Sequence, residues 1–305
     1  MKLASIDIGT NTILLLIAET GQGTVEPLFE METVVGLGKG LQKSGILSAE
    51  AMNRGLQTLA RYMERCRQMG VEEIIAVGTS ALRDAGNSGE FLDRVKREVG
   101  LTIEIISGEE EARLSFLAVT RDLKEPGGTL LVVDVGGGST EFILGRNHQI
   151  DQWISLPLGS VRLTERFLLS DPVKDKEWDR MEEEIRRLLR TTPSSETVPF
   201  MVAVGGTATT LSSVEQGLKE FSTEKIHRFV LAKEALARQL SLYRSKTLGE
   251  RKQIAGLFPN RTEVILAGGA ILYAALDRYR CPSAMVSCHG IRYGLLYDRI
   301  KETRQ

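Results

Sequence analysis

Ser5-Ile6-Asp7-Ile8-Gly9-Thr10-Asn11-Thr12, near the start of the chain, is echoed by Val132-Val133-Asp134-Val135-Gly136-Gly137-Gly138-Ser139-Thr140. Each is an apolar strand that ends in Asp-x-Gly, passes through small hydroxyl-bearing residues and enters a second apolar strand. The two aspartates lie 127 residues apart. One such turn arises easily by chance. Two, one per half, read as a duplicated unit rather than a solenoid, whose repeats run ~20–50 residues. Between them, Leu123-Lys124-Glu125-Pro126-Gly127-Gly128 concentrates the residues that interrupt regular structure and is the expected linker.

Working outward, strand-like and helix-like segments alternate along the chain, the pattern of an α/β protein. Lys2–Ile8 and Thr12–Glu19 read as strands. Ser48–Gly70 reads as an amphipathic helix: Met52, Leu56, Leu59, Met63 and Cys66 recur at i+4/i+3 spacing, Ser48 suits the N-cap and Gly70 the stop. Glu73–Gly78 and Thr102–Ile106 are expected strands, with a helix around Phe91–Val99 between them. The second half restarts with a strand over Thr129–Val135. Two glycine pairs follow apolar runs read as strands, Met201–Val204 before Gly205-Gly206-Thr207 and Val264–Ala267 before Gly268-Gly269. Strand then Gly-Gly at a helix start lets backbone N–H groups approach a phosphate. For Gly268-Gly269, tight packing is the preferred reading.

The 305 residues are 42% hydrophobic and 26% charged, ample for a buried core in more than one domain. Val264–Leu276, the uncharged stretch near the C-terminus, falls short of the ~20 residues a bilayer needs. The strand expected from Leu3 suggests no signal peptide, and a cytoplasmic location is expected. Cys66, Cys281 and Cys288 are odd in number and lack C-x-x-C spacing, so they suggest neither a disulfide framework nor a zinc site. The net charge of -1 is unevenly spread. Residues 219–305 carry 16 Lys+Arg against 8 Asp+Glu, and residues 1–218 carry 23 against 32. The basic portion either attracts a long polyanion or is solvated helix surface.

Several chemistries are excluded by their missing motifs. Gly36-Leu37-Gly38-Lys39-Gly40 lacks the Lys-Ser/Thr ending of a Walker A loop, and neither a G-x-G-x-x-G fingerprint nor a G-x-S-x-G elbow occurs. Carboxylates, small hydroxyl residues and glycines remain, a set suited to phosphoryl transfer, where a protein chiefly positions groups beside a metal. Asp7 and Asp134 are candidate ligands of Mg²⁺ or another divalent cation, against the plainer role of capping their turns. In Ser107-Gly108-Glu109-Glu110-Glu111-Ala112-Arg113, Ser107 as N-cap and Glu110 at the third helical position complete a capping box. Glu109 gains from the helix dipole. Glu111 lies beyond the box and is free to face a cleft as a general base. Glu141 is an odd head for an otherwise apolar strand and a second candidate ligand of metal or water. Arg83 and Asn87 either hold a phosphate or belong to a surface turn. His148, His227 and His289 are dispersed and receive no role.

These residues resemble the exopolyphosphatase / guanosine pentaphosphate phosphohydrolase family, of the superfamily that includes actin, the heat-shock ATPases and sugar kinases. The resemblance is carried in order by Asp7–Thr12, Gly78–Asn87, Ile106–Leu114, Asp134–Glu141, Leu158–Leu163 and Val204–Thr207. It implies two ribonuclease-H-like, actin-like ATPase domains with an interdomain active-site cleft, set here at 1–125 and 126–305, the last helix from about 295 packing back on the first. It implies Glu111 as catalytic base, Glu141 as a second essential carboxylate, and Asp134 at the metal. Gly9, Thr10, Asn11, Arg83, Gly136, Gly137, Gly138, Ser139, Gly205, Gly206 and Thr207 would hold phosphates.

The implied activity is release of terminal phosphate from polyphosphate or guanosine pentaphosphate. A small-molecule kinase and a non-catalytic nucleotide-binding or filament protein are the alternatives. Neither nucleic acid nor membrane is expected as a partner, and a homodimer is the commonest oligomer. Three positions depart from the pattern: Gly36 stands where a basic residue is usual, and Cys288 and Tyr293 replace acids.

Overall fold

The computed structural model describes residues 1–21, 23–123, 128–146, 148–195 and 197–302. Most of the expected linker, Lys124 to Gly127, lies outside them. The chain forms two compact units, Met1–Arg121 with Ile291–Gln305, and Asp122–Gly290. The terminal segment therefore belongs to the first unit from Ile291, earlier than the residue near 295 read from the sequence.

The first unit is built on strands β1 (Lys2–Ile8), β2 (Thr12–Gly21), β3 (Thr24–Val34), β4 (Glu73–Gly78) and β5 (Glu104–Ile105), in the order β3-β2-β1-β4-β5. β1, β2 and β3 pair antiparallel, while β4 and β5 run parallel to β1. β5 keeps only two residues of the strand expected over 102–106.

One face carries the helix Ala49–Gln68, begun by Ser48, whose side chain accepts from the Ala51 N–H. Leu59 and Tyr62 are fully buried against Ile6, Ile13 and Leu15. Each such apolar side chain contributes ~1.5–3 kcal/mol over leaving it in water. Tyr62, absent from the i+4/i+3 apolar set, is anchored by its hydroxyl, which donates to the Ile13 carbonyl at 2.9 Å. Met63 is only partly buried. The other face is covered by the helix Ile291–Glu302. Its Tyr293 and Leu296 pack on Leu3, Leu16 and Ala18.

The second unit repeats the plan. Its strands are β6 (Leu130–Val135), β7 (Thr140–Arg146), β8 (Gln149–Leu156), β9 (Phe200–Val204), β10 (Val230–Ala232) and β11 (Ser283–Ser287), in the order β10-β11-β9-β6-β7-β8. β6–β7–β8 is an antiparallel meander, β9 and β11 run parallel to β6, and β10 adds an antiparallel edge. Three antiparallel strands followed by two parallel ones, twice over, is the ribonuclease-H-like arrangement of the actin-like ATPases.

One expected strand is a helix. Val264 caps and Ile265–Ala267 open the helix Ile265–Arg278, all of whose first eight residues are buried. An element apolar all round has no period to betray it. Gly268 lets the Thr207 side chain pack against this helix, since a Cβ there would collide with the Thr207 hydroxyl and methyl. That is the packing role anticipated for it.

Candidate functional site

In the first unit, the carboxyl ends of β1, β4 and β5 meet. Asp7 pairs with Val77 and Ile8 with Gly78 along the parallel ladder; the Thr79 N–H donates to Ile8 O and the Ile106 N–H to Gly78 O. Ligands of open α/β sheets gather at such carboxyl edges. The Gly9–Thr12 turn closes through Gly9 N–H to Thr12 O at 2.9 Å. The N–H groups of Val35, Gly36 and Gly38 satisfy the carbonyls of Asn11 and Thr10. Gly38 sits under the Thr10 methyl, where a Cβ would not fit. Gly36 adopts φ 58°, so its lack of a side chain serves the turn. A cation nevertheless stands beside it. Arg54 Nε donates to Val35 O at 2.8 Å, and its Nη2 lies 3.9 Å from where a Cβ on Gly36 would be.

The helix Gly108–Leu123 follows β5. Ser107 caps it by accepting the Glu110 N–H at 3.1 Å, but the expected box is only half formed. The Glu110 carboxylate instead takes a two-pronged bond from Arg113, which also grips Asp298. These two carboxylates raise the Arg113 pKa well above the usual arginine range. Glu111 behaves differently: it is 4% exposed and forms an ion pair with Arg83. Arg83 also donates to Ile106 O at 2.8 Å. Asn87 is no ligand of this kind, since its side chain brackets the Leu47 backbone through both Oδ1 and Nδ2.

In the second unit, Asp134 and Glu141 are direct partners across the antiparallel β6–β7 ladder, so both side chains leave the same face. They are 9% and 2% exposed, and Ser155 Oγ donates to Glu141 Oε1 at 2.7 Å. In the first unit the ladder partner of Asp7 is Leu14, so the duplication carries its second carboxylate on one side only. The Gly136–Ser139 turn mirrors Gly9–Thr12, with Gly136 N–H donating to Ser139 O at 3.0 Å. Its carbonyls are consumed by the helix Ser160–Phe167, through Ser160, Val161 and Arg162 N–H groups to Gly136 and Gly137. Arg162 Nε donates to Gly138 O at 2.8 Å.

Beside β6, β9 ends in Gly205 at φ 93°, a conformation that a side chain resists. A Cβ there would meet Val135 O at 2.9 Å and Asp134 Oδ1 at 3.0 Å. The helix Gly206–Glu215 starts next, its N-terminus of the kind that receives phosphates. The Arg261 guanidinium lies over Gly206. No motif reading singled out Arg261; it sits in a 3-10 turn 55 residues from that glycine.

The comparisons with known proteins agree with this arrangement. The profile of the Ppx/GppA phosphatase family matches residues 16–303. The chain belongs to the Ppx/GppA phosphatase family. It is 34% identical to exopolyphosphatase 2 of Mycobacterium tuberculosis, covering 91% of this chain and 90% of that protein. It is 36% identical to the bifunctional 3-dehydroquinate synthase/phosphatase of Fusobacterium nucleatum, across 98% of this chain and 46% of that one, so it spans about half that relative's length. Among solved structures, the Aquifex aeolicus Ppx/GppA family member superposes with a TM-score of 0.84 at 35% identity, covering 100% and 99% of the two chains. Among the described residues, no helix is long and apolar enough to cross a membrane.

Proposed function

We propose that this chain is a phosphoanhydride hydrolase that releases terminal phosphate from inorganic polyphosphate, with guanosine pentaphosphate as a second substrate of the same chemistry. The observation that carries the reading is the Asp134–Glu141 pair across β6–β7 beside the strained Gly205. A glycine turn alone would serve a kinase or a nucleotide-binding protein equally well. Buried carboxylates at its foot suit the activation of water.

Asp7 and Asp134 each offer carboxylate oxygens at a strand end and nearly buried, the kind of donor that fits Mg²⁺ or another hard divalent cation. Such an ion, when bound, neutralises charge developing on the phosphoryl oxygens. The chain does the rest. In the turns Gly9-Thr10-Asn11 and Gly136-Gly137-Gly138-Ser139, the carbonyls of Thr10, Asn11, Gly136, Gly137, Gly138 and Ser139 are engaged by the chain itself, which suits the N–H groups of Thr10, Asn11, Gly137 and Gly138 to phosphate oxygens. Gly205-Gly206-Thr207 adds a helix N-terminus, and Arg83 a fixed positive charge. Glu111, buried beside Arg83, accepts the proton of the attacking water. Glu141, held by Ser155 opposite Asp134, is a second carboxylate able to orient water.

The relative from Mycobacterium is named an exopolyphosphatase, which favours polyphosphate. A cytoplasmic location accords with both substrates. The test is phosphate release from polyphosphate and from guanosine pentaphosphate with Mg²⁺ and no acceptor present. Turnover under those conditions supports hydrolysis. Phosphate transferred to an added sugar or carboxylate acceptor, with none released in its absence, would favour the kinase reading.

A further inference from the structure

Asp122, His227 and His289 are remote in sequence and converge in the second unit. Asp122 lies in the last turn of the helix Gly108–Leu123, His227 follows the short helix Thr223–Ile226, and His289 follows β11. The two imidazole rings stack with centroids 4.4 Å apart and planes inclined by 23°. His227 Nε2 lies 3.2 Å from Asp122 Oδ2, and His289 Nδ1 lies 3.8 Å from Asp122 Oδ1. One ligand atom from each residue falls within 4.8 Å of the others. The three side chains are only 10–17% exposed.

We propose that this trio is a binding site for a borderline divalent transition-metal ion of the Zn²⁺ class. Bonds of ~2.0–2.2 Å in a tetrahedron place neighbouring ligand atoms ~3.4 Å apart. The two Asp122–histidine separations of 3.2 and 3.8 Å straddle that value and the third edge lies within 4.8 Å, so the site closes when the two imidazoles turn out of their stack and point their lone pairs at one ion. Two imidazoles and a carboxylate select such ions over Mg²⁺. The site is thus chemically distinct from the carboxylate oxygens of Asp7 and Asp134, and it does not depend on the proposed hydrolysis.

The surroundings prepare the carboxylate. Burial opposes its ionisation, but the hydrogen bonds of His227 and Arg228 outweigh burial and hold Asp122 far below the usual carboxylate range. Arg228 grips Oδ1 and Oδ2 and also donates to the Asp122 main-chain carbonyl at 2.9 Å, fixing the group's orientation. One rearrangement accompanies loading. The Cys288 N–H donates to His227 Nδ1 at 3.2 Å, which puts the ring proton on Nε2, facing Asp122. Metal binding at Nε2 moves that proton to Nδ1 and exchanges the Cys288 bond for the metal–nitrogen bond.

The chain has three histidines, which makes the test clean. Full-length protein is titrated with Zn²⁺ while the imidazole resonances are followed by NMR, and with Co²⁺ while visible absorption is recorded. One equivalent should shift two of the three imidazoles, leaving that of His148 in place. It should also give the strong absorption of tetrahedral Co²⁺, retained in Asp134→Asn and lost in His227→Asn and His289→Asn. A titration of folded wild-type protein that shifts no imidazole, or shifts all three equally, would overturn the proposal. So would His227→Asn and His289→Asn variants that bind Co²⁺ like wild type.

Discussion

Glu110 and Glu111 share a side chain and differ by one place, yet the fold gives them different work. The Glu110 contribution to the cap is its main-chain N–H, and its carboxylate is spent on Arg113. That pair is 40% and 35% exposed, so losing it costs at most ~1 kcal/mol. Glu110→Gln should therefore melt within a few degrees of wild type and keep its phosphate-release rate within about twofold. A Glu110→Gln rate as low as that of Glu111→Gln would show the roles to be misassigned. The sequence distinguished the two glutamates by counting from Ser107, which is local information. It did not pair Glu111 with Arg83, because their contact depends on where the short helix Ser80–Asp84 after β4 and the helix Gly108–Leu123 after β5 settle at the sheet edge.

At the scale of elements, glycines mark where backbones approach. Gly205 combines φ 93° with Val135 O and Asp134 Oδ1 at contact distance. Gly205→Ala should cost ~1–3 kcal/mol in chemical denaturation and reduce phosphate release more than tenfold, because Asp134 must move. Unchanged activity would detach Asp134 from the site. Gly55 makes the converse point in the helix Ala49–Gln68. Alanine there gains ~1 kcal/mol of helix propensity, but its Cβ would press on the Phe91 ring at 3.0 Å. Gly55→Ala should be net destabilising in the same denaturation measurement. Strands bounded by Asp-x-Gly, and amphipathic helices with caps, were legible because their signals are periodic or local. The helix Ile265–Arg278 was not, being apolar on every side. The Asp122–His227–His289 cluster left no trace, since only the topology brings its members together.

For the whole molecule, charge and pH supply two checks. Residues 219–305 carry 16 Lys+Arg against 8 Asp+Glu. If this surface gathers long polyanions, the affinity for long polyphosphate should fall more steeply with salt than that for tripolyphosphate. Equal slopes would leave it as solvated surface. Asp122 is an acid whose pKa is lowered in the folded state, so its stabilisation is present above the unfolded value of ~3.9 and is lost as pH falls through the folded one. Asp122→Asn should thus be clearly less stable than wild type at pH 7, with the gap closing in strong acid. A gap unchanged at low pH would remove this carboxylate from the account.

Water attack on a phosphoanhydride with Glu111 as base is tested most directly by single-turnover phosphate release in ¹⁸O-labelled water. Wild type should place one solvent oxygen in every phosphate released. Glu111→Gln should slow that step by ~10²–10⁴ with substrate affinity nearly unchanged. Phosphate free of solvent label, or a Glu111→Gln enzyme as fast as wild type, would contradict it.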